Sequence, residues 1–101
     1  MILIADSGAT KTHWYFCHRP GEMAMVQTEG INAATMGKDK IQKIVHSAAS
    51  MVADELSSGV EAIYFYGAGI VSPEASSAIR DALSRAFPSA SLVEFHSDMV
   101  G

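Results

Sequence analysis

The sequence is poor in the residues that build several common kinds of site. Cys17 is the only cysteine among 101 residues. No intrachain disulfide can therefore form, and no set of thiolates can hold zinc or an iron–sulfur cluster. This composition fits a reducing compartment, and we predict a cytoplasmic protein.

Positive charge and long apolar runs are also scarce. Seven Lys and Arg residues stand against eleven Asp and Glu, for a formal net charge of -4. Nucleic-acid binding needs basic residues in series to neutralise phosphates, so we expect no nucleic-acid partner. No apolar run approaches the roughly 20 residues that cross a bilayer, and the amino terminus has no basic segment. We therefore expect neither a secretory signal nor a membrane segment.

The remaining pattern is that of one α/β domain. Hydrophobic residues make up 49% of the chain, which is enough to bury a core. Apolar and aromatic runs predict five strands, at 1–5, 12–18, 23–28, 60–66 and 91–95. Apolar residues at spacings of three and four predict two helices, one ending at Leu56 and one starting with Ser72-Pro73. Helices after strands 3 and 4 predict a mixed sheet in the order 3-2-1-4-5.

The histidines and methionines give no sign of a site. The four histidines are scattered and none has a second ligand at metal spacing, so we interpret them as surface residues or satisfied partners. Four methionines are expected to fill the core, namely Met23, Met25, Met36 and Met51.

The first candidate site is the turn after strand 1, Asp6 to Thr12, which reads Asp-Ser-Gly-Ala-Thr-Lys-Thr. Glycine lets a backbone approach a ligand closely, and successive amides of such a turn cradle phosphate oxygens. The Thr10 and Thr12 hydroxyls and the charge of Lys11 add donors, and Asp6 suits Mg²⁺ bound through water. The alternative is a hairpin turn that uses Asp, Ser and Gly only for their turn preferences. The spacing differs from that of a Walker-type loop.

Two further candidates lie later in the chain. Asp6, Gly67 and Asp98 each follow the carboxyl end of a predicted strand, where ligands of open α/β sheets gather. Asp98 suits a general base for a hydroxyl, or the cap of a following helix. Asn32, in the loop entering the first helix, suits a sugar hydroxyl or a tight turn.

These residues resemble a known superfamily. The turn is similar to the first phosphate motif of actin-like ATPases, sugar kinases and heat-shock chaperones, with the closer match to BadF/BadG-type ATPases and N-acetylglucosamine kinases. The later markers follow in the same order: Gly30-Ile31-Asn32, Gly67-Ala68-Gly69, Phe87-Pro88, and Ser97-Asp98 before Gly101. The resemblance implies that residues 1–101 form a ribonuclease H-like, actin-like ATPase domain, truncated before its last helix.

The resemblance also implies roles for individual residues in binding ATP, Mg²⁺ and an aminosugar. The phosphoryl transfer it implies is mostly positioning and charge stabilisation. The ATP-binding residues would be Gly8, Ala9, Thr10, Lys11 and Thr12, with Asp6 beside the Mg²⁺; the sugar-side residues would be Asn32, Gly67 and Gly69, with Asp98 as the base.

The length departs from that family, whose members pair two such domains around the nucleotide. The sequence stops at Gly101 with the second domain absent, so we expect no kinase activity from this chain alone. We also expect an uncovered apolar sheet face and hence a homo-oligomer. Two alternatives remain: an activator-type ATPase of 2-hydroxyacyl-CoA dehydratase systems, disfavoured because Cys17 lies within a predicted strand, and a non-catalytic interaction module.

Overall fold

A computed structural model describes residues 1–8, 10–19, 21–31, 36–52, 59–67 and 73–96. Four candidate residues lie outside these ranges: Ala9, Asn32, Gly69 and Asp98. The five strands are β1 (Ile2–Ser7), β2 (Lys11–Arg19), β3 (Glu22–Glu29), β4 (Ala62–Gly67) and β5 (Leu92–His96). The described helices are α1 (Lys38–Ser50) and α2 (Pro73–Ala86).

The sheet has the predicted order, β3-β2-β1-β4-β5. The β1–β2 and β2–β3 pairs are antiparallel, whereas β1–β4 and β4–β5 are parallel. The helices follow strands 3 and 4, as predicted. Gly21, in the turn between β2 and β3, has a φ of 85°, a left-handed conformation that glycine adopts without strain. The order and direction of the strands confirm the predicted mixed sheet.

Both helices pack on one face of this sheet, which we call the covered face. Alternate residues of each central strand lie on it, because side chains along a strand point to opposite sides in turn. Leu3, Trp14 and Phe65 of this face are completely buried. The helices contribute the other half of a single two-layer core. Their fully or nearly fully buried residues are Ile41, Ile44, Val45 and Ala48 of α1 and Ile79, Ala82 and Leu83 of α2.

The opposite side, which we call the open face, holds no fully buried residue among the fifteen positions at which all five strands are aligned. The strand register arranges them in three rows of five. The carboxyl-end row contains Gln27, His13, Asp6, Tyr66 and His96. The middle row contains Met25, Tyr15, Ile4, Tyr64 and Glu94. The far row contains Met23, Cys17, Ile2, Ala62 and Leu92. Polarity therefore falls from the carboxyl ends of the parallel strands towards the far row.

Two sequence predictions were wrong in detail. Met23, Met25 and Met51 do not fill the core, since they are 61%, 53% and 54% exposed. The first two lie on the open face of an edge strand, whereas Met36 packs partly against the core as expected. Helix α1 ends at Ser50, where the Met51 N–H is shared between two carbonyls and tightens the last turn, so the predicted helix does not continue through Val52. Its predicted end at Leu56 lies outside the described residues. Neither described helix is long and apolar enough to cross a membrane.

Candidate phosphate-binding site

The candidate turn is a tight hairpin between β1 and β2. Ser7 and Thr12 are opposite each other in the register, and the Gly8 N–H donates to the Lys11 carbonyl at 2.8 Å. The hairpin interpretation and the phosphate interpretation are thus compatible. Because the Gly8 amide is used within the turn, donors for a ligand must come from elsewhere. The side chains of Thr10 and Lys11 are both exposed and available for that role.

Gly8 is not needed for the shape of this turn. It has no positive φ, and a Cβ built on it would lie 3.5 Å from the Lys11 carbonyl oxygen, an ordinary contact. The residue is exposed, so a side chain there would project beside the turn. The predicted contact between Gly8 and a phosphate stays a prediction.

Asp6 lies on the open face, in the carboxyl-end row. Lys11 is two residues from His13 along β2 and so lies on the same face as Asp6. The carboxylate and the ammonium are both exposed at one end of the sheet. Within the described part of the chain, no three His, Cys, Asp or Glu side chains could hold a metal together. A Mg²⁺ ion here would need Asp6 together with water and phosphate oxygens, which is how Mg²⁺ commonly binds.

Thr12 differs from its neighbours because its side chain lies on the covered face and is completely buried. Its hydroxyl donates to the Glu29 carbonyl at 2.9 Å and lies 3.1 Å from the Ser7 hydroxyl. The predicted contact between this hydroxyl and a phosphate stays a prediction. In the structure the hydroxyl already has partners inside the fold.

Gly67 is buried next to the turn, opposite Ser7 in the β1–β4 register. A Cβ there would lie 2.8 Å from Cε1 of Phe65 and 3.4 Å from the Cβ of Ser7. The Phe65 ring has little room to move, because the rings of Trp14 and Phe95 pack against it with centroids 6.5 and 5.9 Å away. Packing alone therefore requires glycine at this position, and its predicted substrate contact stays a prediction.

Solved structures identify what this architecture is similar to. No protein-family model matches the chain, and no curated protein matches it significantly. Among fifteen matching chains of solved structures is the crystal structure of a Porphyromonas gingivalis protein, provisionally assigned as an N-acetylglucosamine kinase. The two are 34% identical with a TM-score of 0.84 over 98% of this chain. The chain has a sugar-kinase-like fold.

This chain, with its sugar-kinase-like fold, spans only part of the length of that protein. The matched region is 35% of the length of the P. gingivalis chain. In the fold, the turn lies where β1 and β4 end side by side, so Asp6, Thr10 and Lys11 all belong to the end of the sheet at which the parallel strands finish. The structure does not describe Ala9, Asn32, Gly69 or Asp98, so their predicted roles stay predictions.

Sequence reasoning missed the part that Ser7 plays in this sugar-kinase-like fold. The sequence singles out Ser7 only in the hairpin alternative, for its turn preference, yet Ser7 lies on the covered face and is only 1% exposed. Its hydroxyl contacts both backbone groups of Ile31. The alternation Leu3, Ala5, Ser7 carries the signal, since it places a polar residue third in a series of buried positions.

Proposed function

We propose that this chain supplies the phosphate-binding turn and the sugar-binding loop of an ATP-dependent kinase of the N-acetylglucosamine type. The observation that carries the proposal is the exposed set Asp6, Thr10 and Lys11 at one end of the sheet. The sequence of the chain is 34% identical to that of the P. gingivalis protein, with a similar fold. We further propose that the domain is of the ribonuclease H-like, actin-like ATPase class and related to BadF/BadG-type ATPases.

The exposed side chains of the turn suit the phosphate end of ATP. Lys11 offers an ammonium and Thr10 a hydroxyl, and both lack the internal hydrogen bonds that occupy Thr12 and Gly8. Asp6 would hold Mg²⁺ through water on the same face of the sheet. Bound Mg²⁺ and ATP supply the phosphoryl group and neutralise its charge, while the protein positions the reactants.

The acceptor side of the proposal rests on residues that the sequence singled out. Asn32 would hydrogen-bond hydroxyls of an aminosugar, and Gly67 and Gly69 would border the same pocket. Asp98 would accept the proton of the attacking hydroxyl as the general base. Asn32 follows directly after Ile31, which the structure places beside Ser7 at the base of the turn.

The likeness to a kinase does not favour the activator-type ATPase. Activators of that type bridge an iron–sulfur cluster with cysteines, and Cys17 lies in the interior of β2, half-buried on the far row of the open face. The non-catalytic interaction module is the outcome that a failed binding test would support.

Ligand binding is a more direct test than kinase activity, because the chain spans only 35% of the length of the P. gingivalis protein. Amide spectra of the purified chain would be recorded during titration with MgATP and, separately, with N-acetylglucosamine. We expect MgATP to shift the Gly8, Thr10 and Lys11 signals.

Two lysine variants make this test specific. Lys11→Ala should weaken MgATP binding about tenfold or more, since a hydrogen bond to a charged group is lost. Lys43→Ala removes an exposed lysine from α1 and should leave the affinity for MgATP unchanged. Equal affinities for the two variants, or no shift at all in the wild-type chain, would refute the proposal.

A further inference from the structure

Ser7 joins two segments that are distant in the sequence. Its Oγ accepts from the Ile31 N–H at 3.0 Å and donates to the Ile31 carbonyl oxygen at 3.1 Å, across 24 residues. Ser7 is the last residue of β1, directly before the turn. Ile31 lies two residues beyond the end of β3, in the segment that leads to Asn32. One side chain thus bonds both polar backbone groups of the same loop residue.

The burial of this contact makes it important for the loop. Ser7 is 1% exposed and Ile31 is 2% exposed, so water cannot replace the lost partners if the hydroxyl is removed. Buried backbone N–H and C=O groups without partners are rare in proteins because each is costly. Within the described ranges, every buried side-chain nitrogen and oxygen has a partner. The hydroxyl therefore satisfies groups that a β-sheet ladder would otherwise satisfy.

Thr12 extends the contact from the other side of the hairpin. It is opposite Ser7 in the register, and its hydroxyl donates to the Glu29 carbonyl at 2.9 Å. The hydroxyls of Ser7 and Thr12 are 3.1 Å apart. Both flanks of the turn are thus tied, on the covered face, to the segment Glu29–Ile31 that leaves β3.

We infer that Ser7 is a positioning residue that holds the segment Glu29–Ile31, and hence the start of the loop carrying Asn32, against the base of the phosphate-binding turn. The turn and the segment Glu29–Ile31 then keep a fixed separation, so two ligands bound beside them are held in a fixed relation to each other. Only the identity of those ligands rests on the proposed function. The contact itself is independent of it.

Hydrogen exchange tests the contact directly. In Ser7→Ala the Ile31 amide loses its acceptor, and its exchange should accelerate about tenfold more than that of Leu3, a core amide of the same strand. A parallel acceleration of Ile31 and Leu3 would overturn the inference, because Ser7 would then contribute only to overall stability. Ser7→Cys keeps the shape of the side chain but replaces the oxygen with a larger atom that is a weaker donor and acceptor, so an intermediate acceleration is expected.

Ser89→Ala is the matched control. The Ser89 hydroxyl donates to the Val60 carbonyl at 2.7 Å across 29 residues, away from the turn. Its removal deletes a bond of similar sequence span at an exposed residue, and it should leave the ratio of Ile31 to Leu3 exchange unchanged. A change in that ratio equal to the one in Ser7→Ala would count against a specific role for Ser7.

Titrations with the two ligands then separate this inference from the proposed function. Ser7→Ala should weaken N-acetylglucosamine binding about tenfold, and by a larger factor than it weakens MgATP binding, because the Thr10 and Lys11 side chains stay in place. Unchanged sugar affinity in Ser7→Ala would overturn the inference. A wild-type chain that binds neither ligand would refute the proposed function, and the exchange ratio would still decide whether Ser7 positions the loop.

Discussion

The two faces of the sheet are built from the same strands but differ in nearly every property. On the covered face Leu3, Trp14 and Phe65 have no exposure, and the helices complete a close-packed core. On the open face every described position keeps some contact with solvent. Its rows change from polar at the carboxyl ends of the parallel strands to apolar at the opposite end.

The difference divides the candidate motif in two. Ser7 and Thr12 belong to the covered face, where their hydroxyls bind the backbone of the loop that follows β3. Asp6 and Lys11 belong to the open face and are exposed. A continuous sequence motif therefore combines residues that hold the fold together with residues that are free to meet a ligand, and alternation along the strands decides which is which.

The largest expected effect is the removal of a covered-face aromatic residue. Phe65→Ala should lower the free energy of unfolding by about 3–5 kcal/mol, because it deletes contacts to Trp14 and Phe95 and leaves a cavity. Tyr64→Ala, one residue away on the open face, should cost clearly less. Urea denaturation of both variants measures the difference, and equal losses would break the distinction between the faces.

The second effect concerns the two glycines of the site. Gly67→Ala should cost about 1–3 kcal/mol, because its new methyl group would press on the Phe65 ring and the Cβ of Ser7. Gly8→Ala should leave stability within about 0.5 kcal/mol, since the added atom meets only ordinary contacts. It should nevertheless weaken MgATP binding. Thermal unfolding measures the stability of both variants, and titration measures their affinity for MgATP. A Gly67→Ala variant as stable as the wild-type chain would show that the packing around Phe65 has room for a methyl group.

A smaller effect separates the two threonines of the turn. Thr12→Val should cost about 1 kcal/mol, because the Glu29 carbonyl loses its donor on the buried side. Thr10→Val should not alter stability, yet it should reduce MgATP affinity. Chemical denaturation measures the stability of the two variants, and amide titration measures their affinity for MgATP. A loss of stability in Thr10→Val but not in Thr12→Val would contradict the assignment of the two threonines.

The smallest effect on stability is expected in the far row of the open face. Ile2→Lys should leave the free energy of unfolding within about 0.5 kcal/mol, because Ile2 is already 42% exposed. The homo-oligomer expected from the sequence stays a prediction, and this apolar row is where we propose that two copies meet. Light scattering should show a dimer for the wild-type chain and a monomer for Ile2→Lys. A monomeric wild-type chain at micromolar concentration would refute the proposed dimer.

The strand order was predictable because it follows from local patterns. Turn residues such as Gly21 separate the antiparallel strands, and apolar helices between later strands force parallel pairing. The exposure of Met23 and Met25 was not predictable from hydrophobicity, since it depends on which face of an edge strand each residue occupies. The role of Ser7 was likewise hidden, because its partner Ile31 lies 24 residues away and only the folded register brings them together.

The distribution of aromatic residues gives the chain a natural optical separation of its two faces. The single tryptophan, Trp14, is completely buried on the covered face, and its indole N–H donates to the Thr28 hydroxyl at 2.9 Å. All three tyrosines, Tyr15, Tyr64 and Tyr66, lie on the open face. Indole emission therefore reports on the core, whereas tyrosine absorbance reports on anything that settles on the other side. An unlabelled sample suffices to tell which face has changed.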